Sequence, residues 1–410
     1  MALIVQKYGG SSLHDGDAIQ NVARRIARTQ NQGDKVVATV SAMGNTTDEL
    51  ISLARSVSTE PHPRELDLLL STGELVSCTL LAMGLRSMGL NAVSLSGAQA
   101  GIHTNAKFGN AKIQSVEPTR IIQDLDNGNI VIVAGFQGIT DDMNVTTLGR
   151  GASDITAVAL SAALNADRCE IYTDVAGIYT ADPRLVPKAQ KLNEVGFEEM
   201  LELASYGAKM APRSIELGMV YDIPILVASS LNDEPGTLIH RGAEMSNSIG
   251  EIRNRVRGVA TDINVTKITL LGIPNRPGSE ADVFEPLADA DISVDVIVQS
   301  TVVDGHTDLT FTIKGTDKER ALAVMTKISQ EIGACGVTAA DGLAKVSIVG
   351  SGMQDAPGYA SRMFRALADA EISIDVITTS EIRITCVIDA CDIKKAAQAI
   401  HSAFLVESTE

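Results

Sequence analysis

The sequence predicts an α/β protein in which a mostly parallel sheet is sandwiched by helices, followed by two small α+β modules. Three observations predict this arrangement. Over roughly the first 240 residues, short apolar runs alternate with longer stretches whose apolar residues recur at helical spacing. A polar stretch at 242–257, GAEMSNSIGEIRNRVR, interrupts this alternation. Beyond it, one sequence pattern occurs twice.

The apolar runs predict buried strands, and the stretches between them predict helices. In the stretch 18–30, for example, Ile19, Val22, Ala23 and Ile26 fall on one helical face. Strands that alternate with helices form parallel sheets covered on both faces, and such strands are apolar throughout. The predicted strands are 3–6, 35–40, 92–95, 130–136, 169–173 and 223–228, and the predicted helices are 18–30, 66–88, 153–165 and 197–204.

The C-terminal part of the chain contains an internal duplication. Residues 277–297, PGSEADVFEPLADADISVDVI, align without a gap with residues 357–377, PGYASRMFRALADAEISIDVI, at an offset of 80 residues. A repeat of this length predicts a small α+β module present twice, in the order strand, helix, strand, strand, helix. The flanking strands are predicted at 268–271, 309–313, 346–349 and 383–388, and the flanking helices at 318–332 and 393–404. The predicted domains are 1–244, a linker at 245–260, and modules at 261–340 and 341–410.

The composition excludes several classes of function. The 410 residues carry a net charge of −17, which repels phosphate backbones, so we expect no nucleic-acid partner. The N-terminus lacks the basic start and long apolar core of a signal peptide, and no run of about 18 apolar residues predicts a membrane span. We therefore expect a cytoplasmic protein without a membrane partner. The scattered cysteines show no zinc spacing and are predicted to be reduced core thiols: Cys78, Cys169, Cys335, Cys386 and Cys391.

A glycine-containing loop lies between the first predicted strand and the first helix. Lys7 supplies a cation, Gly9 and Gly10 permit close approach of backbone N–H groups, and Ser11 supplies a hydroxyl. These groups are suited to binding phosphate. The lysine precedes the glycines, so the loop does not match the P-loop pattern. On these residues alone, a tight turn between strand and helix is an equal alternative.

The order Lys-Tyr-Gly-Gly-Ser-Ser at 7–12 resembles the opening of the amino-acid kinase family, and of its aspartate kinases in particular. Four further motifs follow in the family's order: VSAMGNTTD at 40–48, STGE at 71–74, TLGRGASD at 147–154 and TDVAGIYTADPR at 173–184. The duplication resembles the paired, ferredoxin-like ACT domains that these enzymes carry. The resemblance spans nearly the whole chain and implies the amino-acid kinase fold. Ala152 departs from the pattern, since the family has a second glycine there, and its methyl group would crowd a substrate if φ were positive.

The resemblance implies an ATP-dependent kinase that phosphorylates the β-carboxylate of L-aspartate, the first step of lysine, threonine and methionine biosynthesis. The acceptor carboxylate is already ionised at neutral pH, so no general base is required. The site must instead bring two anions together and neutralise charge as the phosphoryl group moves. The expected cofactors are ATP and Mg²⁺.

The matched motifs assign a role to each site residue. The predicted catalytic residues are Lys7, Asp154 and Lys209, and Lys7 stabilises the transferring phosphoryl group. The predicted substrate-binding residues are Ser41, Thr47, Glu74, Arg150 and Ser153; Arg150 would grip the α-carboxylate and Glu74 would meet the α-ammonium. The predicted ATP-binding residues are Lys7, Gly9, Gly10, Ser11, Thr173, Asp174, Tyr179, Asp182, Arg184 and Lys209.

Several of these residues have a second interpretation when taken one at a time. Glu74 also fits an exposed helical position, Thr47 a helix N-cap, and Asp154 a simple cap. Arg150 also fits a surface position and Lys209 a solvated helix end. Two other functions stay open for the whole protein: a related kinase with glutamate or N-acetylglutamate as acceptor, and a degenerate, non-catalytic amino-acid sensor.

The paired ACT domains imply feedback inhibition by lysine, threonine or both, and a homo-oligomer formed through these domains. The effector would bind at the loop ahead of the first helix of the first repeat, beside a strand of that repeat and the partner repeat. The predicted effector residues are Asn275, Arg276, Pro277, Gly278, Ile297, Gln299, Ser380 and Glu381. An ordinary turn at the Pro-Gly step is the alternative. In some relatives a separate small subunit starts near a linker methionine, and Met245 is the candidate here.

Overall fold

The computed structural model describes residues 1–149, 151–205, 210–241, 256–353 and 357–405. Their contacts divide the chain into two compact units. The first comprises Met1–Tyr179 and Lys191–Ile249, and the second comprises Thr180–Gln190 and Gly250–Glu410. The segment Thr180–Gln190 therefore belongs to the C-terminal unit, although it lies within the predicted range of the first domain.

The first unit is the α/β domain. Its strands are β1 (Leu3–Tyr8), β2 (Lys35–Val40), β3 (Ala92–Leu95), β4 (Ile102–Thr104), β5 (Ile113–Val116), β6 (Ile130–Ala134), β7 (Gln137–Ile139), β8 (Val145–Thr147), β9 (Arg168–Thr173), β10 (Glu194–Gly196), β11 (Ile225–Ser229) and β12 (Thr237–His240). Its helices are α1 (Gly16–Asn31), α2 (Thr46–Val57), α3 (Pro63–Ser87), α4 (Thr119–Asp126), α5 (Ser153–Ala163), α6 (Phe197–Ser205) and α7 (Pro212–Tyr221).

An eight-stranded sheet has the order β10-β12-β11-β9-β1-β2-β6-β3, and its neighbouring strands are parallel except for β11 and β12. The mostly parallel sheet predicted from the sequence is confirmed. Tyr8 at the end of β1 lies opposite Val40 of β2 and Tyr172 of β9. The carboxyl ends of these strands thus align, and the loops that follow them start at one edge of the sheet.

The core of this unit forms where helices cover the sheet. Ile19, Val22 and Ile26 of α1 and Leu81 and Leu85 of α3 are buried together with side chains of the central strands. A second sheet, β5-β4-β7-β8, was not predicted, because its strands are only three or four residues long and show no clear alternation.

Among the described residues, α3 is the one helix long and apolar enough to cross a membrane by length and composition. The expectation concerned a run of about 18 apolar residues, and α3 is not such a run, because polar residues such as Ser71, Thr72 and Glu74 interrupt it. More than half of its most apolar stretch, 56%, is buried inside the protein. The core helix of a globular domain meets the same criterion, because its inner face must be apolar to pack.

The second unit holds the duplication. Its strands are β13 (Gly258–Pro274), β14 (Val294–Gln299), β15 (His306–Lys314), β16 (Gly336–Val349), β17 (Val376–Thr379) and β18 (Arg383–Asp389). Its helices are α8 (Ser279–Asp289), α9 (Lys318–Ile332), α10 (Tyr359–Asp369) and α11 (Ile393–Leu405). The predicted order of strand, helix, strand, strand and helix occurs twice, as the sequence indicated.

The two modules share one antiparallel sheet with the order β14-β15-β13-β16-β18-β17. The first part of β13, 258–262, pairs with the last part of β16, 345–349, and the last part of β13 pairs with the first part of β16. Each long strand therefore contributes to both modules. Lys267 of β13 pairs with Asp375 at 2.5 Å, and Lys345 of β16 pairs with Asp295, so a lysine on each central strand pairs with an aspartate of the other module.

The cysteines differ from the prediction in part. All five are free thiols; Cys78, Cys169 and Cys386 are buried, but Cys335 and Cys391 are exposed. The prediction of core thiols is therefore wrong for these two. Cys335 lies in the turn before β16 and Cys391 in the turn after β18, where the backbone leaves the core.

Candidate active site

An ion pair lies at the aligned strand ends of the first unit. The Lys7 Nζ atom of β1 is 2.7 Å from Oδ1 of Asp154, the second residue of α5, and the two side chains are 12% and 8% exposed. A carboxylate in the first turn of a helix is favoured by the helix dipole. The pair brings together two predicted catalytic residues that are separated by 147 positions in the sequence.

The glycine loop packs tightly against the loop that follows β2. The Gly44 N–H group donates to the Gly10 carbonyl at 3.1 Å, and a Cβ atom on Gly10 would lie 2.7 Å from the Ala42 carbonyl oxygen. A Cβ atom on Gly9 would lie 3.4 Å from Lys7 Nζ. Glycine at these positions allows the two loops to meet and leaves room beside the lysine ammonium, where a phosphate fits.

Glu74 is buried in the inner face of α3, with 3% of its surface exposed. Its Oε1 atom accepts the Ala42 N–H group at 3.2 Å, and among the described residues no group hydrogen bonds to its Oε2 atom. Burial raises the pKa of Glu74 to about 7, although the hydrogen bonds to its own backbone N–H and that of Ala42 act to lower it. The interpretation of Glu74 as an exposed helical residue was therefore wrong.

Two serines complete this side of the site. The Ser41 Oγ atom lies 3.0 Å from Ser153 Oγ, which joins the end of β2 to the start of α5. Thr47 is the second residue of α2, and Asn45 occupies the N-cap position, so Thr47 is not the helix cap that its type also suggested. Ser153, the residue before Asp154, thus connects α5 to the loop after β2, and Glu74 binds the next residue of that loop, Ala42.

The loop that carries Arg150 is held by two residues that sequence reasoning missed. Asp67 of α3, 1% exposed, accepts the N–H groups of Gly109 and Thr147 and the Thr147 hydroxyl, all within 3.0 Å. Arg213 of α7 donates to the carbonyls of Leu148 at 2.8 Å and Ala111 at 3.1 Å. Its desolvation lowers the pKa of this arginine.

The sequence contains a signal for Asp67, which is its position on α3. Asp67 lies on the same helical face as Ser71, Glu74 and Cys78, and a polar side chain on a buried face needs a hydrogen-bond partner.

The backbone of the same loop explains its glycines. Gly149 and Gly151 have φ angles of 92° and 74°, which favour glycine. Ala152 has a φ of −78° and is buried, so its methyl group causes no backbone strain. Arg150 itself lies outside the described residues, and so does Lys209.

The nucleotide motif starts at the end of β9. The carbonyl of Thr173 accepts the Ser230 N–H group at 2.8 Å, and Ser230 Oγ lies 2.8 Å from Ser12 Oγ of the glycine loop. Asp174 follows directly, and its Oδ1 atom accepts the Thr173 hydroxyl at 3.1 Å. Thr173 and Asp174 thus lie beside the glycine loop.

Three other residues of this motif lie further along the chain. Tyr179 ends the first-unit part of the motif in a β-bridge with Lys191. Asp182 and Arg184 belong to the second unit, where the Asp182 carboxylate accepts two N–H groups of the Arg184 guanidinium, with a shortest contact of 2.6 Å.

In the described part of the chain, no three His, Cys, Asp or Glu side chains cluster closely enough to hold a metal ion. A protein-only metal site is therefore not formed by these residues. Two carboxylates, those of Asp154 and Asp174, lie beside the glycine loop.

Comparison with known proteins decides the family. Residues 2–229 match the model of the amino acid kinase family, and residues 268–327 and 346–404 match that of an ACT domain. The aspartokinase of Corynebacterium efficiens is 49% identical over 414 aligned positions, which cover 100% of this chain and 98% of that protein. The aspartokinase of Corynebacterium glutamicum is also 49% identical, over 98% of this chain and 96% of that protein.

The chain belongs to the amino acid kinase family, among its aspartokinases. The family, the fold class and the ATP-dependent kinase activity predicted from the sequence are thereby confirmed. The structure of Escherichia coli aspartokinase III in complex with aspartate and ADP matches 99% of this chain and 100% of that chain at 28% identity, with a TM-score of 0.84. The structure of the same protein with lysine and aspartate matches with a TM-score of 0.75, also at 28% identity.

The ACT residues predicted to bind an effector fall into two groups. Gly278 has a φ of 98° and caps α8, and the Gln299 amide of β14 donates to Glu280 of α8 at 3.1 Å. Ser380 and Glu381 directly follow β17. Because β14 and β17 are opposite edges of one six-stranded sheet, the two groups do not meet within a chain.

The remaining residues of the first group surround the turn before α8. Asn275 donates its N–H group to the Gly305 carbonyl, and Arg276 pairs with Asp282 at 3.2 Å. Pro277 continues this turn, and Ile297 of β14 is 51% exposed.

Proposed function

We propose that this chain transfers the γ-phosphate of ATP to the β-carboxylate of L-aspartate, and that the Lys7–Asp154 pair is the centre of the reaction. One observation carries this proposal: a lysine ammonium, held 2.7 Å from a carboxylate, lies beside Gly9 of the glycine loop. The loop after β2, which packs against the glycine loop, donates an N–H group to the buried Glu74, whose second oxygen has no partner among the described residues. The first group suits a phosphate and the second an ammonium.

Lys7 acts on the phosphoryl group. As negative charge moves from the leaving ADP to the new acyl phosphate, a fixed ammonium at low exposure stabilises it without reorganising solvent. Asp154 holds the Lys7 ammonium in place before the reaction, so no conformational entropy of the lysine side chain is lost during the reaction. The acceptor carboxylate is ionised at neutral pH, so that no side chain is required to take a proton from it.

Glu74 selects the amino-acid end of the substrate. The α-ammonium of aspartate would bind the Oε2 atom that has no partner among the described residues, in a charge-assisted hydrogen bond. Ser41 and Ser153 would donate to carboxylate oxygens. Asp67 and Arg213 hold the backbone of Thr147 and Leu148, which precede Arg150 in the chain, and Arg150 is the proposed partner of the α-carboxylate.

Mg²⁺ supplies charge neutralisation to the nucleotide phosphates when bound. Asp154 and the hydroxyl of Ser11 are the residues of this chain that we propose to hold it. The Gly9 and Gly10 backbone leaves the space that the phosphates need.

We further propose inhibition by lysine, threonine or both, a homo-oligomer joined through the ACT sheets, and a cytoplasmic location. Open edges of the antiparallel sheet support the oligomer: β14 and β17 are edge strands, and Ile297, Val298 and Ile377 on them are exposed. Pairing between chains would also bring together the two effector groups that one chain keeps apart. We also propose that a separate small subunit is produced by internal initiation at Met245. Met245 lies outside the described residues.

The test is a coupled assay of ADP release with L-aspartate, L-glutamate and N-acetyl-L-glutamate as acceptors. We expect turnover with aspartate alone, and Lys7→Ala should lower kcat by a factor of about 100 or more. Lys35→Ala is the matched control, because Lys35 starts the neighbouring strand at the opposite end of the sheet and forms a half-exposed pair with Asp126. Full activity of the Lys7 variant would refute the catalytic assignment.

The same assay, repeated across L-lysine and L-threonine concentrations, tests the effectors. Inhibition by at least one of them is expected. A flat response to both, separately and together, would remove the regulatory part of the proposal.

A further inference from the structure

Glu170 is a buried carboxylate in the middle of the eight-stranded sheet. It lies on β9, is 4% exposed, and sits opposite Gln6 in the register of the parallel strands β9 and β1. Its Oε2 atom accepts hydrogen bonds from the Gln6 amide and the Tyr172 hydroxyl, each at 2.9 Å. Its Oε1 atom accepts the Nε–H group of Arg168, also at 2.9 Å. Both oxygens of this buried carboxylate therefore have partners.

The hydrogen bonds continue from Glu170 along β1. The Tyr8 hydroxyl donates to the Gln6 Oε1 atom at 3.1 Å, and the Gln6 amide also contacts the Thr29 hydroxyl of α1 at 3.0 Å. The Tyr8 and Tyr172 rings are stacked, with centroids 5.1 Å apart and planes 10° from parallel. The four buried residues Gln6, Tyr8, Glu170 and Tyr172, which we call the Glu170 network, lie on the face of the sheet that α1 covers.

The two tyrosines of the network keep their protons. Burial raises the pKa of Tyr172, and the neighbouring Glu170 carboxylate raises it further. Burial likewise raises the pKa of Tyr8. Both hydroxyls are therefore donors at neutral pH, which fixes the direction of each hydrogen bond from tyrosine and glutamine towards the carboxylate.

Lys7 lies between two members of this network but points to the other face of the sheet. Consecutive side chains of a strand alternate between faces, so Gln6 and Tyr8 point towards α1. The Lys7 side chain points towards α5, where it pairs with Asp154. The residues on both sides of Lys7 are thus held by one chain of hydrogen bonds that ends at Glu170.

Packing alone does not account for a carboxylate at this position. On the neighbouring strand β2, the buried residues that pack against α1 are all apolar, namely Val36, Ala38 and Val40. A buried charge loses its hydration, and apolar side chains often replace a buried ion pair without loss of stability. What Glu170 gains over an apolar residue is its directed contact with Gln6 and Tyr172.

We infer that Glu170 is a positioning residue for phosphoryl transfer. By holding Gln6 and, through it, Tyr8, it fixes the β1 backbone on both sides of Lys7 and hence the direction of the Lys7 side chain. Glu170 lies on the opposite face of the sheet from the Lys7–Asp154 pair, so it acts through Lys7 and not on the substrates. The inference rests on the proposed function, in which Lys7 stabilises the transferring phosphoryl group.

The test compares two replacements of Glu170 in the full-length protein. Glu170→Met has a similar length but no acceptor oxygen, and we expect kcat to fall about tenfold, with KM for ATP and for aspartate changed less than about twofold. Glu170→Gln keeps one oxygen that accepts from Gln6 and Tyr172, so its kcat should stay within about threefold of the unaltered protein. An equal loss of kcat in both variants would contradict the inference, and so would an effect confined to KM.

Asp124→Leu is the matched control for the loss of a buried carboxylate. Asp124 is 8% exposed and, like Glu170, accepts hydrogen bonds from an arginine, Arg120, and from an amide, that of Asn129. Asn129 directly precedes β6, at the opposite end of the sheet from the active site. Both Asp124→Leu and Glu170→Met should lower the midpoint of thermal unfolding, but only Glu170→Met should lower kcat at a temperature well below both midpoints. An equal fall of kcat in Asp124→Leu would overturn the inference.

Combination with Lys7→Ala shows whether Glu170 acts through the lysine. We expect Glu170→Met to cause no further loss of kcat in the Lys7→Ala protein, because no ammonium remains to be positioned. The same fractional loss in both backgrounds would refute the inference and leave the role of Lys7 intact. Full activity of Lys7→Ala by itself would refute the proposed function, and the inference with it.

Tyr8→Phe keeps the inference testable if Glu170→Met does not fold. This change removes one hydroxyl of the network and keeps the ring that stacks on Tyr172. We expect kcat to fall about threefold in the otherwise unaltered protein and not at all in the Lys7→Ala protein. An unchanged kcat, or an equal loss in both backgrounds, would count against the positioning role.

Discussion

Replacing Glu74 by glutamine tests the electrostatics of the site in two independent ways. Burial raises the pKa of this carboxyl from its ordinary value of 4.5 to about 7, since α3 and the loop after β2 exclude water from it. The difference is about 2.5 pH units, which corresponds to about 3 kcal/mol at 1.4 kcal/mol per unit. The ligand-free protein should bear that cost whenever Glu74 is ionised.

The sign of the effect follows from proton linkage. Below pH 4.5 the carboxyl is protonated in both the folded and the unfolded chain, and it contributes no difference. As pH rises towards about 7, the unfolded chain ionises first, so the free energy of unfolding falls; above 7 the loss is complete. Glutamine does not ionise. Glu74→Gln should therefore stabilise the ligand-free protein by up to about 3 kcal/mol at pH 8 and by very little at pH 4.5.

As pH rises towards 7, aspartate should bind more tightly, whereas the free energy of unfolding falls. The substrate ammonium binds the ionised carboxylate, so KM for aspartate of the unaltered protein should rise about tenfold for each pH unit below 7. Loss of a charge-assisted hydrogen bond should raise KM of Glu74→Gln at pH 8 by a factor of about 10 to 100 and remove this pH dependence.

The assays are denaturant unfolding without ligands and initial rates with aspartate, each from pH 5 to pH 8. Glu65→Gln is the control, because Glu65 lies on the same helix, is exposed and pairs with Arg64. We expect its profiles to follow those of the unaltered protein. Parallel stability profiles for Glu74→Gln and the unaltered protein would refute the reasoning, and so would a KM that varies equally with pH in both.

Two further predictions concern packing and thiol reactivity. Gly10→Ala places a Cβ atom 2.7 Å from the Ala42 carbonyl oxygen, so it should destabilise the protein by about 1–3 kcal/mol and lower kcat/KM. Gly16→Ala is the control, because its new Cβ meets no atom within 4 Å beyond its chain neighbours and its own helix backbone; thermal unfolding and activity should stay unchanged. Among the cysteines, the two exposed thiols should react with a thiol reagent in the native protein. Reaction of the other three should require denaturant, because burial raises each of their pKa values to about 12; these residues are Cys78, Cys169 and Cys386. Rapid native labelling of all five would contradict the described burial.

Much of the architecture followed from periodicity. Strands β2 and β3 and helix α9 have the predicted bounds, since an uninterrupted apolar run or a clean helical face marks burial directly. The long strands β13 and β16 were predicted only in part. Residues such as Asp262 and Asn264 interrupt the apolar pattern, but a neighbouring strand across the sheet extends the hydrogen-bonded ladder past them.

For the site, the motifs indicated which residues take part but not how they are supported. Lys7, Asp154 and Glu74 were predicted, and the structure brings them to one edge of the sheet. Asp67 and Arg213 were missed, because their partners lie 42 to 102 positions away in the chain. No local pattern encodes such a partner.

The sequence by itself determined the class of fold, the duplication, the family and the chemistry of the phosphate loop, because each depends on residue types at short and regular spacing. Only the tertiary structure decided that Glu74 is buried with a raised pKa, that two thiols are exposed, and that 180–190 belongs to the C-terminal unit. These properties depend on which distant segments exclude water from a side chain, and that information exists only once the chain has folded.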